Sequence, residues 1–197
     1  MRIGILGGTF DPPHNGHLEL AKRAVESLAL DEVIWLPANR NPLKTVRTST
    51  SAKQRLEMVN IATEDNPKFS VSDIDLTRGG PSYMIDTLNE LKMVVPGDYW
   101  LLVGADNVRN FSEWKNPHRI LKLCRLGVAV RPPDTHEEIS KWMDEEMREH
   151  VDFIDMKPVD ISATELRKRI ARGSGLVVPF IDARVLQYIK QNKLYRS

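Results

Sequence analysis

The sequence predicts an α/β fold: a doubly wound, mostly parallel sheet with helices on both faces and a small helical portion at the C-terminus. Three observations carry that expectation. Short apolar runs ending in glycine or proline alternate along the chain with segments of helical spacing. The 197 residues, 41% hydrophobic and 28% charged, are enough for one well-buried core without covalent staples. No stretch approaches the roughly 20 apolar residues of a membrane span, and the lone Cys124 forbids an intrachain disulfide. One domain over residues 1–197 in a reducing, cytoplasmic setting is expected. The opening MRIGILGGTF lacks the apolar run and cleavage site of a signal peptide, so none is expected.

The elements follow in order. Arg2–Leu6 is a short apolar run stopped by Gly7-Gly8, which reads as a buried strand. His17–Leu28 places Leu18, Ala21, Val25 and Leu28 on one helical face. Glu32–Leu36 is a second strand, closed by Pro37. Asn39–Thr50 is polar, contains Pro42 and reads as a loop. Ser51 and Gln54 form a capping pair that opens a helix over Ser51–Thr63. Phe69–Leu76 alternates as a strand, Thr77–Pro81 turns, and Ser82–Met93 is helical. Tyr99–Val103 is a strand ending in Gly104, and Asn116-Pro117 starts another helix with proline at its favoured first position. Leu126–Val130 is a strand, Glu137–Glu149 an acidic helix and Val151–Asp155 the last strand. Helices over Ala163–Ala171 and Ile181–Gln191 finish the chain. Such β-α repetition gives a Rossmann-like sheet, whose ligands bind beyond the carboxyl ends of the strands.

Charge narrows the partners. A formal net charge of +1 argues against a general nucleic-acid binder. Residues 134–155 carry nine acidic and two basic groups, and residues 157–197 carry nine basic and three acidic ones. Each run reads as a solvated helix face, and the basic one also favours an anionic ligand.

The chemistry concentrates after the first strand, in Gly7-Gly8-Thr9-Phe10-Asp11-Pro12-Pro13-His14-Asn15-Gly16-His17. The glycines admit close approach of a ligand to the backbone, and the following helix aims free N–H groups and its positive dipole end at the same space. His14 and His17, three apart at the helix start, suit phosphate because imidazoles donate hydrogen bonds and can be tuned near neutral pH. The string is neither a P-loop nor the G-x-G-x-x-G dinucleotide fingerprint. No third metal ligand lies nearby, so no protein-held metal is expected. A second anion site is suggested by Ile161-Ser162-Ala163-Thr164-Glu165-Leu166-Arg167. There Ser162 and Glu165 read as a capping box, and Arg167 offers a planar fork to phosphate oxygens.

These two segments carry a resemblance. The string from Gly8 to His17 resembles the signature of nucleotidyltransferases with an H-x-G-H motif, and most closely that of bacterial nicotinate-nucleotide adenylyltransferases. That family joins nicotinic acid mononucleotide to the AMP part of ATP and releases pyrophosphate. Residues 161–167 resemble the family's Ile-Ser-Ser-Thr-x-x-Arg motif, with Ala163 where a serine is usual. The resemblance implies catalysis by His14, His17 and Arg167. It places ATP on Gly7, Gly8, Thr9, Phe10, Gly104, Asp106, Ile161, Ser162, Thr164 and Arg167. It places the mononucleotide on Asn39, Lys44, Tyr83, Met84 and Trp114, with Trp114 stacking on the nicotinate ring. Arg131, after a strand end, is a further phosphate candidate. Met84 stands where the family usually has threonine, which removes one hydroxyl from the segment that meets the nicotinate carboxylate. Mg²⁺ is expected to arrive on the ATP phosphates, since no carboxylate cage is evident.

The rival readings are pantetheine-phosphate adenylyltransferases and cytidylyltransferases, a non-catalytic nucleotide sensor, and a redox enzyme using NAD. The Tyr83 and Trp114 segments, the intact His14, His17, Thr164 and Arg167, and the missing dinucleotide fingerprint argue against them in turn. Expected partners are ATP and the mononucleotide, with no nucleic acid and no membrane. A homo-oligomer is left open.

Overall fold

The computed structural model describes residues 1–42, 48–157, 161–173 and 175–196. Among them six strands form one sheet: β1 (Arg2–Gly8), β2 (Glu32–Pro37), β3 (Phe69–Val71), β4 (Asp98–Gly104), β5 (Arg125–Val130) and β6 (Val151–Asp155). Every pairing is parallel, and the order is β3-β2-β1-β4-β5-β6. The chain winds outward from β1 to β3, returns, and winds outward the other way from β4. This Rossmann-like order puts the topological switch between β1 and β4. The register pairs Ile5 with Leu101.

Ten helices join these strands among the described residues: α1 (Asn15–Ser27), α2 (Ala52–Thr63), α3 (Ile74–Arg78), α4 (Met84–Val94), α5 (Ala105–Arg109), α6 (Pro117–Leu123), α7 (His136–Ser140), α8 (Glu145–Glu149), α9 (Ala163–Ala171) and α10 (Ala183–Gln191). The sheet is buried on both faces, as a parallel sheet requires. On one face Ile3, Ile5, Leu101 and Val103 pack against Ile85, Leu88 and Leu91 of α4 and Ile120 of α6. On the other, Leu6, Trp35 and Leu102 pack against Leu20, Ala21 and Ala24 of α1. A third cluster joins Met58 of α2 to Leu166 of α9 and to Val185 and Ile189 of α10. No helix among the described residues is long and apolar enough to cross a membrane.

Several element boundaries differ from those the sequence suggests. The alternation over Phe69–Leu76 is a strand only as far as Val71. Beyond it, Asp73 starts the short helix α3, with its carbonyl accepting from the Leu76 and Thr77 amides. Asp75 then turns inward to Arg78 and Thr87, so two turns of hydrogen bonding override the period-2 pattern. The acidic helix over Glu137–Glu149 is split into α7 and α8. Asp144 caps α8 by accepting from the Met147 amide at 2.8 Å, and Ile139, Met143 and Met147 are all buried in the core. Helix α1 begins at Asn15, two residues early, which leaves His14 at the N-cap. Helix α4 begins at Met84, and α10 begins at Ala183 behind an Asp182 cap. A 3₁₀ stretch over Gly175–Phe180 precedes it.

Candidate active site

The loop between β1 and α1 lies at the switch point and is clamped from several sides. Gly8 is required there: a β-carbon would come 2.8 Å from the Phe10 ring. Phe10 is folded under the loop at φ 50°, fully buried, with its ring 5.0 Å from that of His17 and 5.4 Å from that of Trp35. A non-glycine residue in that region costs roughly 1–2 kcal/mol and persists only where its surroundings over-determine it.

Hydrogen bonding orients His17, and ring stacking joins it to His14. The His14 backbone N–H donates to His17 Nδ1 at 3.1 Å. With Nδ1 accepting, the proton of a neutral His17 ring sits on Nε2, which makes that atom a donor. The two rings stack with centroids 3.7 Å apart. Burial, followed by the nearby positive charge of Arg131, lowers the His14 pKa from 6.5 to about 4. His14 is therefore neutral at pH 7, and its Nδ1 is buried without a hydrogen-bond partner.

The second predicted segment folds toward the first. Ser162 caps α9, its hydroxyl accepting from the Glu165 amide at 3.1 Å. The expected reciprocal half of the capping box is absent, because the Glu165 carboxylate pairs with Arg169 one turn on. Ile161 packs against the third cluster, and Thr164 is exposed in the first turn. Arg167 donates from Nη1 to the Asp11 carbonyl at 2.7 Å and from Nη2 to Thr164 Oγ at 3.2 Å. The two candidate phosphate sites, 156 residues apart in sequence, are thus in direct contact.

Of the remaining predicted residues, Asn39, Gly104 and Arg131 lie at or just past the carboxyl ends of β2, β4 and β5. Asn39 follows β2; its backbone N–H donates to Ser82 Oγ at 2.9 Å, and its Nδ2 donates to the Gly80 carbonyl at 2.9 Å. Tyr83 is the N-cap of α4, and Met84 is its first residue. A β-carbon at Gly7 would lie 2.9 Å from Met84 Cε, so this side chain reaches the end of β1. Gly104 caps α5 and Asp106 is exposed in its first turn. Trp114 is half-buried against the core near Phe111, with centroids 5.4 Å apart and Nε1 buried without a partner. Arg131 is partly buried at the end of β5. Lys44 lies outside the described residues.

The structure adds residues that the sequence did not single out. Arg55, 1% exposed, donates to three carbonyls: Thr9 at 2.8 Å, Ala38 at 2.6 Å and Asn39 at 3.2 Å. It thereby joins the ends of β1 and β2. Its spacing of three and four residues from the buried Met58 and Val59 is the signal that it faces inward. Asp11, 3% exposed, accepts from the Ser49 amide, the Thr50 hydroxyl and the Tyr195 hydroxyl at 2.7–2.8 Å. Lys115 lies 4.4 Å above the Tyr83 ring and pairs with Asp86 at 2.9 Å. Among the described residues no group of three or more His, Cys, Asp or Glu could hold a metal ion.

Comparison with known proteins agrees with this arrangement. The cytidylyltransferase-like family model matches residues 5–169. A Dehalococcoides mccartyi protein named "Probable nicotinate-nucleotide adenylyltransferase" is 38% identical, over 99% of this chain and 97% of its own length. The chain belongs to the nicotinate-nucleotide adenylyltransferase family. An Exiguobacterium sibiricum protein of the same name is 39% identical over the full length of both chains. In three dimensions the chain resembles a Plasmodium falciparum nicotinic acid mononucleotide adenylyltransferase solved with NaAD, with a TM-score of 0.81 at 18% identity. That match covers 98% of this chain and 97% of the other.

Proposed function

We propose that the chain, acting over residues 1–197 as one nucleotidyltransferase unit, transfers the adenylyl group of ATP to nicotinic acid mononucleotide. The products are nicotinic acid adenine dinucleotide and pyrophosphate, a step of NAD synthesis. The observation that carries this reading is the Arg167–Asp11 contact, which joins the histidine loop to the N-terminus of α9 in one anion-binding cleft. The family relatives and their names support the choice of substrates.

A phosphate oxygen of the mononucleotide attacks the α-phosphorus of ATP, and the bond to the β-phosphate oxygen breaks. The nucleophile is already anionic, so the protein needs neither a strong base nor a covalent intermediate. Catalysis rests on alignment and on charge stabilisation. His17, with its proton on Nε2, donates to the α-phosphate as charge builds there. His14 faces the neighbouring ATP phosphates. Arg167, Thr164 and the amides of α9 behind Ile161 and Ser162 hold the β- and γ-phosphates. Gly7, Gly8, Thr9 and Phe10 bring the backbone up to ATP, and Gly104 and Asp106 take the nucleoside. Asn39, Lys44 and Arg131 serve the mononucleotide, with Tyr83, Met84 and Trp114 on its nicotinate ring. Mg²⁺ bound to the triphosphate would neutralise part of its charge; Asp11, the loop's own carboxylate, is engaged in hydrogen bonds to Ser49, Thr50 and Tyr195. The buried, unpaired Cys124, its thiol pushed up to about 12 by burial, is in keeping with a cytoplasmic enzyme.

The test is pyrophosphate release with ATP and Mg²⁺, comparing nicotinic acid mononucleotide with nicotinamide mononucleotide. Strong preference for the acid is expected. Comparable rates would retain the reaction and refute the acid-specific pocket around Met84. Activity only on phosphopantetheine or only with CTP would refute the assignment.

A further inference from the structure

The Asp11 carboxylate ties two distant segments, residues 49–50 and Tyr195, to the histidine loop. Oδ2 accepts from the Ser49 amide at 2.8 Å, and Oδ1 accepts from the Thr50 hydroxyl and the Tyr195 hydroxyl at 2.7 Å each. Its own carbonyl takes Arg167, and the adjacent Thr9 carbonyl takes Arg55. Of these partners Tyr195 comes from furthest away, in the last residues of the chain. Its arrival is built into the backbone. Lys193 and Tyr195 both adopt left-handed conformations, at φ 53° and 60°. Between them Leu194 turns back to bond the Ile189 carbonyl and seats its side chain in the third cluster. Two such placements in three non-glycine residues are unfavourable unless the bonds they permit compensate.

We propose that Tyr195 is a positioning residue: its hydroxyl on Asp11 fixes the histidine loop in the shape that receives the ATP phosphates. This rests on the adenylyl-transfer reading. Tyr195 touches neither histidine and acts through Asp11. Burial and the adjacent Asp11 carboxylate push the Tyr195 phenol well above its ordinary range, so it remains an O–H donor at every working pH. Without that donor, Oδ1 retains only the Thr50 hydroxyl. The turn at Phe10–Asp11 then loses its tie to the segment that follows α10, while the sheet and the Arg55 clamp stay in place.

The test is Tyr195→Phe, which keeps the ring and removes only the hydroxyl. Because the lost bond is to a charged acceptor, the KM for ATP should rise about tenfold. The KM for the mononucleotide should hold, and the melting temperature should change by only a few degrees. Amide exchange in the free protein should quicken at residues 9–11 and 14–17 and nowhere else. An unchanged ATP KM with unchanged exchange would overturn the proposal. So would a uniform rise in exchange with equal losses for both substrates, the signature of a tail that merely stabilises the fold. If Tyr195→Phe does not fold, Thr50→Val removes the other Oδ1 donor and must give the same signature. A wild-type protein without adenylyl transfer would refute the assigned reaction instead. The exchange pattern and calorimetric binding of a non-hydrolysable ATP analogue would still decide the role of Tyr195.

Discussion

Replacing His14 with glutamine should flatten the acid limb of the stability–pH profile. In the folded protein His14 titrates near 4 because burial, and then Arg131, oppose its charged form; its ordinary value is 6.5. The unfolded chain therefore binds this proton more readily, and stability falls as acid is added. The contribution is complete above the unfolded value and is lost as pH drops toward the folded one. Its ceiling is the shift converted at about 1.4 kcal/mol per pH unit, or about 3 kcal/mol. Between about pH 7 and about pH 5 the same linkage removes about 2 kcal/mol. The carboxylates titrate in this range too, but they are common to both proteins. The assay is urea unfolding of ligand-free wild type and His14→Gln at the two pH values. Wild type should lose about 2 kcal/mol more than the variant on acidification. Equal losses, within about 0.5 kcal/mol, would show that His14 is not held neutral by its surroundings.

Four further outcomes are expected. His17→Ala should cut turnover about 10²-fold or more while an ATP analogue still binds in calorimetry, since its Nε2 donor acts on charge developing in the transition state. Arg167→Ala should raise the KM for ATP at least about tenfold in steady-state assays, with a smaller effect on the mononucleotide. Trp114→Ala should weaken mononucleotide binding more than ATP binding; equal losses would contradict stacking on the nicotinate ring. Arg55→Met should cost about 3–5 kcal/mol in urea unfolding, because it strands the Thr9, Ala38 and Asn39 carbonyls in a buried site.

What could be read from the sequence was local, and what could not was long-range. The alternation of apolar runs and helical segments revealed the sheet, because each strand of a parallel sheet must be apolar on both faces. The histidine loop was legible because its residues are contiguous. Phe69–Leu76 misled because apolar residues still alternate at Ile74 and Leu76, although their phase shifts by one from Phe69 and Val71 and Asp75 turns inward to Arg78 and Thr87. Nothing within a few residues of Arg55 names its acceptors, which sit in loops up to 46 positions away. Tyr195 is harder still, since its partner lies 184 positions upstream. Half of the Ser162–Glu165 capping box was also misassigned, because Arg169 competes for the carboxylate.

The hydrogen bonding of the arginines gives the site its electrostatic logic. Among the described residues, Arg23, Arg78, Arg125, Arg169 and Arg184 each pair with a carboxylate, and none of them belongs to the histidine loop or its clamp. Arg55 and Arg167 instead direct their guanidinium hydrogen bonds to carbonyl and hydroxyl oxygens. A carbonyl satisfies the donor without cancelling its charge, whereas a carboxylate does both. Arg167 is thereby held in place with its positive charge still available at the cleft. Neutral His14 fits the same scheme. Burial, and after it the positive charge of Arg131, disfavours a cationic imidazole in the ligand-free loop, so His14 is neutral there at pH 7. Triphosphate binding should then raise the His14 pKa and draw in a proton. Calorimetry of ATP-analogue binding in buffers of different ionisation enthalpy would register that uptake, largest below about pH 7. The same titration of His14→Gln should show less uptake, and identical values for the two proteins would remove His14 from the phosphate site.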